Sequence, residues 1–249
     1  MIRGNEIFFD KRRTFPNYQK DILLNDKKIL LSNIVQPEKM KEVKSYCDVG
    51  CGHGACPKIF SDFGCKRSVG IDIQEHKYWS EFVEGTDNLE YICKDISKEQ
   101  PEEKFQLVTS YSAFEHFDNP PLMLKSMMNM VEPGGYLYIL FSPIWNSTDG
   151  HHNYRQIQFP WYHLIFSDEV INECHARLSV PETGIGFNKW SAFDFMNLFL
   201  GAREMRIVHF QTLFNFRHFY FAVNFRELLS QYTLEELMTS GFEIAYQKI

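Results

Sequence analysis

Three aspartates, each closing a short apolar run, are the residues of this 249-residue chain best placed to hold a small molecule. Asp48 stands in Tyr46-Cys47-Asp48-Val49-Gly50-Cys51-Gly52-His53-Gly54. Glycine at 50, 52 and 54 allows positive φ and removes the Cβ that would keep a ligand off the backbone. Asp72 follows about 20 residues beyond that turn, the spacing at which a carboxylate grips a ribose diol. Asp95 closes a third run, Leu89-Glu90-Tyr91-Ile92-Cys93-Lys94-Asp95-Ile96. An acid before the first glycine disfavours a pyrophosphate and suits a ligand with a cationic amino group and a sulfonium. Three histidines, His116, His151 and His152, are placed by the same order of elements to accept a proton.

These groups need a scaffold of alternating strands and helices to bring them to one edge. The sequence predicts a strand ending at Asp48, a helix over 55–63 with Pro57 in its first turn, and strands over 67–73, 89–96 and 105–111. A helix over 120–131 follows, with Met123, Met127, Met128 and Met130 as core, and then a turn and fifth strand over 131–141. This is a doubly wound α/β pattern. After Ser142 the alternation breaks into a polar loop over 142–153 and an aromatic stretch over 159–166. Helices over 168–176 and 190–200, a sixth strand over 203–211, a helix over 227–240 stopped by Gly241 and a last strand over 242–248 complete the reading. The domains are then a helical lead-in over 1–45, with its apolar positions at 21–35, and a ligand-binding core over 46–142. Acceptor-binding loops and an insertion over 143–226 and a C-terminal helix and strand over 227–249 follow.

The glycine turn, Asp72, Asp95-Ile96 and Pro133-Gly134-Gly135, in this order, resemble the motifs of the class I S-adenosylmethionine (SAM) methyltransferases. The resemblance is closest to the type 11 branch and spans 46–142. It implies a Rossmann-like sheet of seven strands with the last antiparallel, an aromatic-rich insertion after strand five, and SAM as cofactor with S-adenosylhomocysteine (SAH) as product. It further implies that Asp48, Gly50, Cys51, Gly52 and Gly54 hold the methionine end, Asp72 the ribose, and Asp95 and Ile96 the adenine. Ile73 and Ser112 line the same site.

Methyl transfer from a sulfonium is an in-line displacement that needs aligned reactants and, for a hydroxyl acceptor, a base. His152, beside Gly150 and His151 in the polar loop, is the favoured base, with His151, His116 and, behind them, His163 as alternatives. Glu115-His116 with a distant histidine also resembles the metal-binding pattern of ubiquinone-pathway and small-RNA 2′-O-methyltransferases. The second glutamate of that pattern is replaced here by Ser112, so no resident metal is expected. A Mg²⁺ or Mn²⁺ ion on Glu115, His116 and His152 is the less favoured option. The loop over 150–166 resembles that of methyltransferases of bacterial surface-glycan (capsule or lipopolysaccharide) pathways, which implies O-methylation of a small or carbohydrate-like acceptor. The alternatives are a metal-assisted RNA 2′-O-methyltransferase and an inactive methyltransferase-fold binding protein.

A net charge of −6 argues against a nucleic-acid partner, whose phosphates need concentrated Lys and Arg. No apolar run approaches the roughly 18 residues of a membrane span. The N-terminus has no signal-peptide character, and six cysteines without a C-x-x-C pair read as reduced thiols in a cytoplasmic protein. The aromatic residues of 210–225 are expected to pack on the sheet or across a homodimer contact, or to wall an acceptor site.

Overall fold

The computed structural model describes residues 20, 24–28, 31, 37–99, 101–154, 156–179 and 186–249. Most of the lead-in expected over 1–45, including most of its apolar positions at 21–35, lies outside the described residues. The strands are β1 (Ser45–Val49), β2 (Arg67–Asp72), β3 (Leu89–Cys93), β4 (Phe105–Tyr111), β5 (Val131–Phe141), β6 (Arg206–Phe214) and β7 (Thr239–Gln247). They form one sheet in the order β3-β2-β1-β4-β5-β7-β6. The first five are parallel, and β7 runs antiparallel between β5 and β6. This is the seven-stranded sheet expected from the sequence.

The central strands are apolar because both of their faces are covered. Cys47, Val49, Val69, Ile71, Val108 and Ile139 are each at most 2% exposed. The described helices are α1 (Pro37–Met40), α2 (Ala55–Asp62), α3 (Trp79–Val83), α4 (Pro120–Met130), α5 (Tyr162–Ile165), α6 (Asp168–Leu178), α7 (Ala192–Gly201), α8 (Phe219–Asn224) and α9 (Leu234–Met238). In α4, Asn119 caps the N-terminus by accepting from the Leu122 amide, and two prolines occupy the first turn, where no amide donor is lost. Its Met123, Met127, Met128 and Met130 are core, as their spacing predicts. Ser191 and Asp194 close α7 with a reciprocal capping box.

The order of strands reverses between β1 and β4, so their carboxyl ends diverge and leave a crevice there. Gly50 opens that crevice at φ +72°, and a Cβ added to it would lie 2.5 Å from the Ala113 Cβ. Gly50→Ala is therefore expected to cost about 2–4 kcal/mol, from the left-handed backbone and the overpacking together. Urea unfolding monitored by tyrosine and tryptophan fluorescence would read this as a lowered midpoint.

Three boundaries differ from the sequence reading. β3 ends at Cys93, which leaves Asp95 in the turn beyond it. The helix expected over 227–240 is instead a 3₁₀ turn, Arg226–Leu229, and the short α9, with β7 already begun at Thr239. Thr233 caps α9 separately, its hydroxyl accepting from the Glu236 amide, which divides the segment in two. Gly241 stops no helix. A Cβ there would lie 2.0 Å from the Phe141 carbonyl, so glycine is required where β7 passes close to β5. The aromatic stretch over 210–225 is likewise divided. Phe210 and Phe214 belong to β6 at the sheet edge, and Phe219–Asn224 is α8.

Candidate active site

A cavity of about 510 Å³ runs along the carboxyl ends of β1, β2 and β4, inside the ~300–1,000 Å³ range of small-molecule sites. Of the residues read from the sequence, Gly50, Gly52, Asp72, Ile73, Asp95, Ile96, Ser112 and His116 line it. Asp48, Cys51, Gly54, His151 and His152 do not.

The glycine turn is tied to β2 from both sides. The Gly50 and Cys51 amides donate to the Ile71 carbonyl at 2.8 and 3.1 Å. The Gly52 amide donates to Asp72 Oδ2 at 2.9 Å, and Trp79 Nε1 donates to the Gly52 carbonyl at 2.8 Å. Asp72 is thus held through Oδ2, while Oδ1 accepts a longer bond from the Gln74 amide at 3.4 Å and lies 3.5 Å from His76 Nε2. A Cβ on Gly52 would meet nothing within 4 Å, which marks the open side of the turn. Tyr91 fills the opposite side, its hydroxyl donating to the Gly54 carbonyl at 2.6 Å and its ring stacking on Trp79 at 5.1 Å.

Beyond β3, Asp95 is fixed by its own turn, accepting from the Ser97 amide and hydroxyl at 3.0 and 2.6 Å. Those bonds and the Lys98 ammonium hold its carboxyl below the usual range. Ile73 is 73% exposed at the cavity rim, an apolar surface suited to a ribose or base edge. Sequence reasoning did not find His76, Asn119 or Met123, which also line the cavity. No local motif announces them, since each is brought there by the path of the chain after a strand.

Asp48 has a different place. It is 2% exposed and accepts from the Thr109 hydroxyl at 2.7 Å, in a chain that continues to the Tyr46 hydroxyl. Burial pushes its carboxyl up to about 7. The folded state holds this proton to about pH 7, whereas an unfolded aspartate releases it near 4. The folded state then binds more protons through that window, so Asp48 lowers stability as pH rises from about 4 to 7. Desolvation lowers His151, His152 and His163 to about 2, 4 and 4, which acts with the opposite sign. The difference in melting temperature between wild type and Asp48→Asn isolates the aspartate. It is expected to grow in favour of the variant from pH 4 to 7 and then level off.

The histidines form two groups. His151 is 2% exposed, with Nδ1 accepting from the Asn153 amide at 3.0 Å and its ring 4.3 Å from Tyr162. His163 joins the same packing, with Nε2 donating to the Trp145 carbonyl at 2.7 Å. Neither lines the cavity. His116 stands on the cavity wall, with Nδ1 2.9 Å from the Gly186 carbonyl. His152, at φ +58°, lies behind it with ring centroids 5.5 Å apart, and Phe187 packs on both at 4.6 and 4.1 Å. Glu115 is 2% exposed beneath them, and burial raises its carboxyl to about 7. Its Oε2 has no partner among the described residues. Glu115, His116 and His152 present ligand atoms within 4.8 Å of one another.

The model that describes methyltransferase domains matches residues 24–200, well over half of the chain. The chain belongs to the class I SAM-dependent methyltransferases. The methyltransferase is 27% identical over 211 residues to malonyl-[acyl-carrier protein] O-methyltransferase 2 of Ilyobacter polytropus, covering 77% of this chain and 80% of that enzyme. It is 23% identical to pavine N-methyltransferase of Thalictrum flavum over 70% of its own length and 56% of that enzyme's. Among solved structures, magnesium protoporphyrin IX methyltransferase of Synechocystis, bound to SAH, superposes with a TM-score of 0.54 at 13% identity. That match covers 91% of this chain and 83% of the other, and it shows the shared fold. The cavity fits SAM in volume, in the open side of the glycine turn and in the Asp72 carboxylate on its wall.

Proposed function

We propose that this methyltransferase moves the methyl group of SAM to a hydroxyl of a small or carbohydrate-like acceptor, with a histidine taking the acceptor's proton. When bound, SAM supplies an electrophilic methyl on sulfur. The chain's residues hold and orient it. The Gly50–Gly52 turn takes the amino-acid end, Asp72 the ribose hydroxyls, and Asp95, Ile96 and Ile73 the adenine side. Asp48 acts from behind, fixing the base of the turn through Thr109.

The observation that carries the reading is the orientation of His116. A carbonyl only accepts, so the 2.9 Å contact with Gly186 puts the proton on Nδ1 and leaves Nε2 as the basic nitrogen, 4.0 Å from Glu115 Oε1 at the cavity wall. His152 was the residue favoured by sequence. His152 packs against His116 and Phe187 and does not line the cavity, which supports His116 as the base. Desolvation lowers His116 below the ordinary 6.5, so the basic form prevails at neutral pH. The kcat/KM profile is then expected to be flat through pH 7 and to fall only below 6.5. A screen of hydroxylated acceptors, starting with nucleotide-activated sugars, with SAH formation as readout, tests the function. Absence of SAM binding to the folded protein would leave only the binding-protein reading.

The carbohydrate acceptor and a role in bacterial surface-glycan synthesis rest on the resemblance of the loop over 150–166. The O-methyltransferase among the reported relatives supports oxygen as the atom methylated, with nitrogen, as in the pavine enzyme, the alternative. Six free cysteines support a reducing, cytoplasmic compartment. The exposed ring sequence Phe214, Phe216, Phe219 and Tyr220 supports a homodimer contact. Phe216→Ser with Tyr220→Ser would leave a dimer monomeric in light scattering after gel filtration.

A metal-assisted transfer is favoured by one observation, the convergence of Glu115, His116 and His152 with an unpartnered Glu115 oxygen. Calorimetric titration with Mn²⁺, against Glu115→Gln, separates the two readings. Stoichiometric binding lost in the variant selects the metal, and no binding selects the free base.

A further inference from the structure

We infer that Asn188 is a positioning residue that fixes the tautomer of His116 by clamping the loop over 186–190 onto the turn after β4. This rests on the reading of His116 as the base. The two segments lie about 70 residues apart in sequence, and Asn188 joins them through its side-chain and backbone nitrogens. Its Nδ2 donates to the Phe114 and Phe117 carbonyls at 2.9 and 3.1 Å, and its backbone amide donates to the Glu115 carbonyl at 3.1 Å. Its Oδ1 accepts from the Trp190 amide at 3.1 Å, closing the loop on itself. Three bonds thus grip the two ends and the middle of the four-residue segment that carries His116.

The clamp places two groups against the imidazole. The Gly186 carbonyl meets Nδ1 at 2.9 Å, and the Phe187 ring packs on His116 at 4.6 Å and on His152 at 4.1 Å. The carbonyl forces the proton onto Nδ1, against the ordinary preference of a free imidazole for Nε2–H, and the two rings restrain rotation about χ2. Lys189, next to Asn188, sits at φ +55°, and Ser112 and His152 at φ +50° and +58°. Three of the left-handed non-glycine residues therefore surround this one arrangement, a concentration typical of sites where geometry matters more than local ease. Asn188 itself does not line the cavity. Its effect passes through the loop and the ring.

The test is ¹⁵N NMR of the full-length protein labelled at histidine, with and without SAH, using His116→Gln to assign the signal. Wild type is expected to show His116 with a protonated Nδ1 and a bare Nε2. Asn188→Asp keeps the shape and the Oδ1 acceptor but loses both Nδ2 donors. It is expected to shift His116 toward the mixture of tautomers seen in free imidazole. It should lower kcat about tenfold to a hundredfold, with KM for SAM unchanged, short of the ~10²–10⁴-fold owed to a positioned base. Asn188→Ser, which keeps a single donor, should recover part of both readouts. The inference is overturned if Asn188→Asp leaves the tautomer and kcat as they were. If the aspartate variant does not fold, the wild-type spectrum still decides, because Nε2–H at His116 overturns it directly. Failure of the base reading is separate. An intact kcat in His116→Ala would sink that reading even with the Nδ1–H tautomer in place.

Discussion

Asp72→Ala is expected to weaken SAM binding by about 100-fold or more in calorimetric titration. A hydrogen bond to a charged group contributes roughly 1.5–3 kcal/mol, and a carboxylate facing a ribose diol makes two. At about 1.4 kcal/mol per decade, that amounts to two to four orders of magnitude in Kd. The substitution also takes the acceptor from the Gly52 amide, now bonded to Oδ2 at 2.9 Å, and so loosens the turn around the amino-acid end. Asp48→Asn is the informative control. Its side chain is bonded to Thr109 away from the cavity, and the amide oxygen can keep that bond, so SAM affinity should stay within about threefold. An equal loss in both variants would show that the glycine turn depends on the charge of Asp48, against the placement described above.

His116→Ala is expected to lower kcat by about 10²–10⁴-fold while SAM affinity moves by no more than about twofold. The ring stands on the cavity wall with Nδ1 committed to the Gly186 carbonyl and Nε2 left as the basic nitrogen. His152→Ala should cost less, because removing that ring loosens Phe187 and His116 without removing the proton acceptor. His151→Ala should lower the melting temperature and leave kcat of the folded fraction intact, since His151 bonds the Asn153 amide and packs on Tyr162. The reverse order, with His152→Ala inactive and His116→Ala unaffected, would return the base role to the loop histidine. Single-turnover measurements at saturating SAM separate these cases from changes in cofactor loading.

Much of the cofactor half was legible because its signals are local. A glycine turn between a strand and a helix needs particular residues at adjacent positions. The acids at strand ends follow at distances set by the length of a strand-helix-strand unit. Gly50, Gly52, Asp72, Ile73, Asp95, Ile96 and Ser112 accordingly meet at one cavity. The same locality misled where one residue type serves two purposes. Gly241 in sequence looks like a helix stop, yet it is needed for the close approach of β7 to the Phe141 carbonyl. Asp48 in sequence points to a ligand's ammonium group, yet the pleat of β1 sends its side chain to Thr109 on the neighbouring strand.

By itself, then, the sequence determined the class of fold, the parallel core and the glycine turn at the cavity, each encoded within a few residues of itself. Only the tertiary structure brought together the histidine wall of the cavity. His116, His152, Phe187 and Asn188 come from three segments joined by long connections, and no periodicity or spacing relates them. Which histidine faces the cavity, and which of its nitrogens is bare, depends on one carbonyl about 70 residues away in sequence. That carbonyl's position is fixed by packing and by the hydrogen bonds of Asn188.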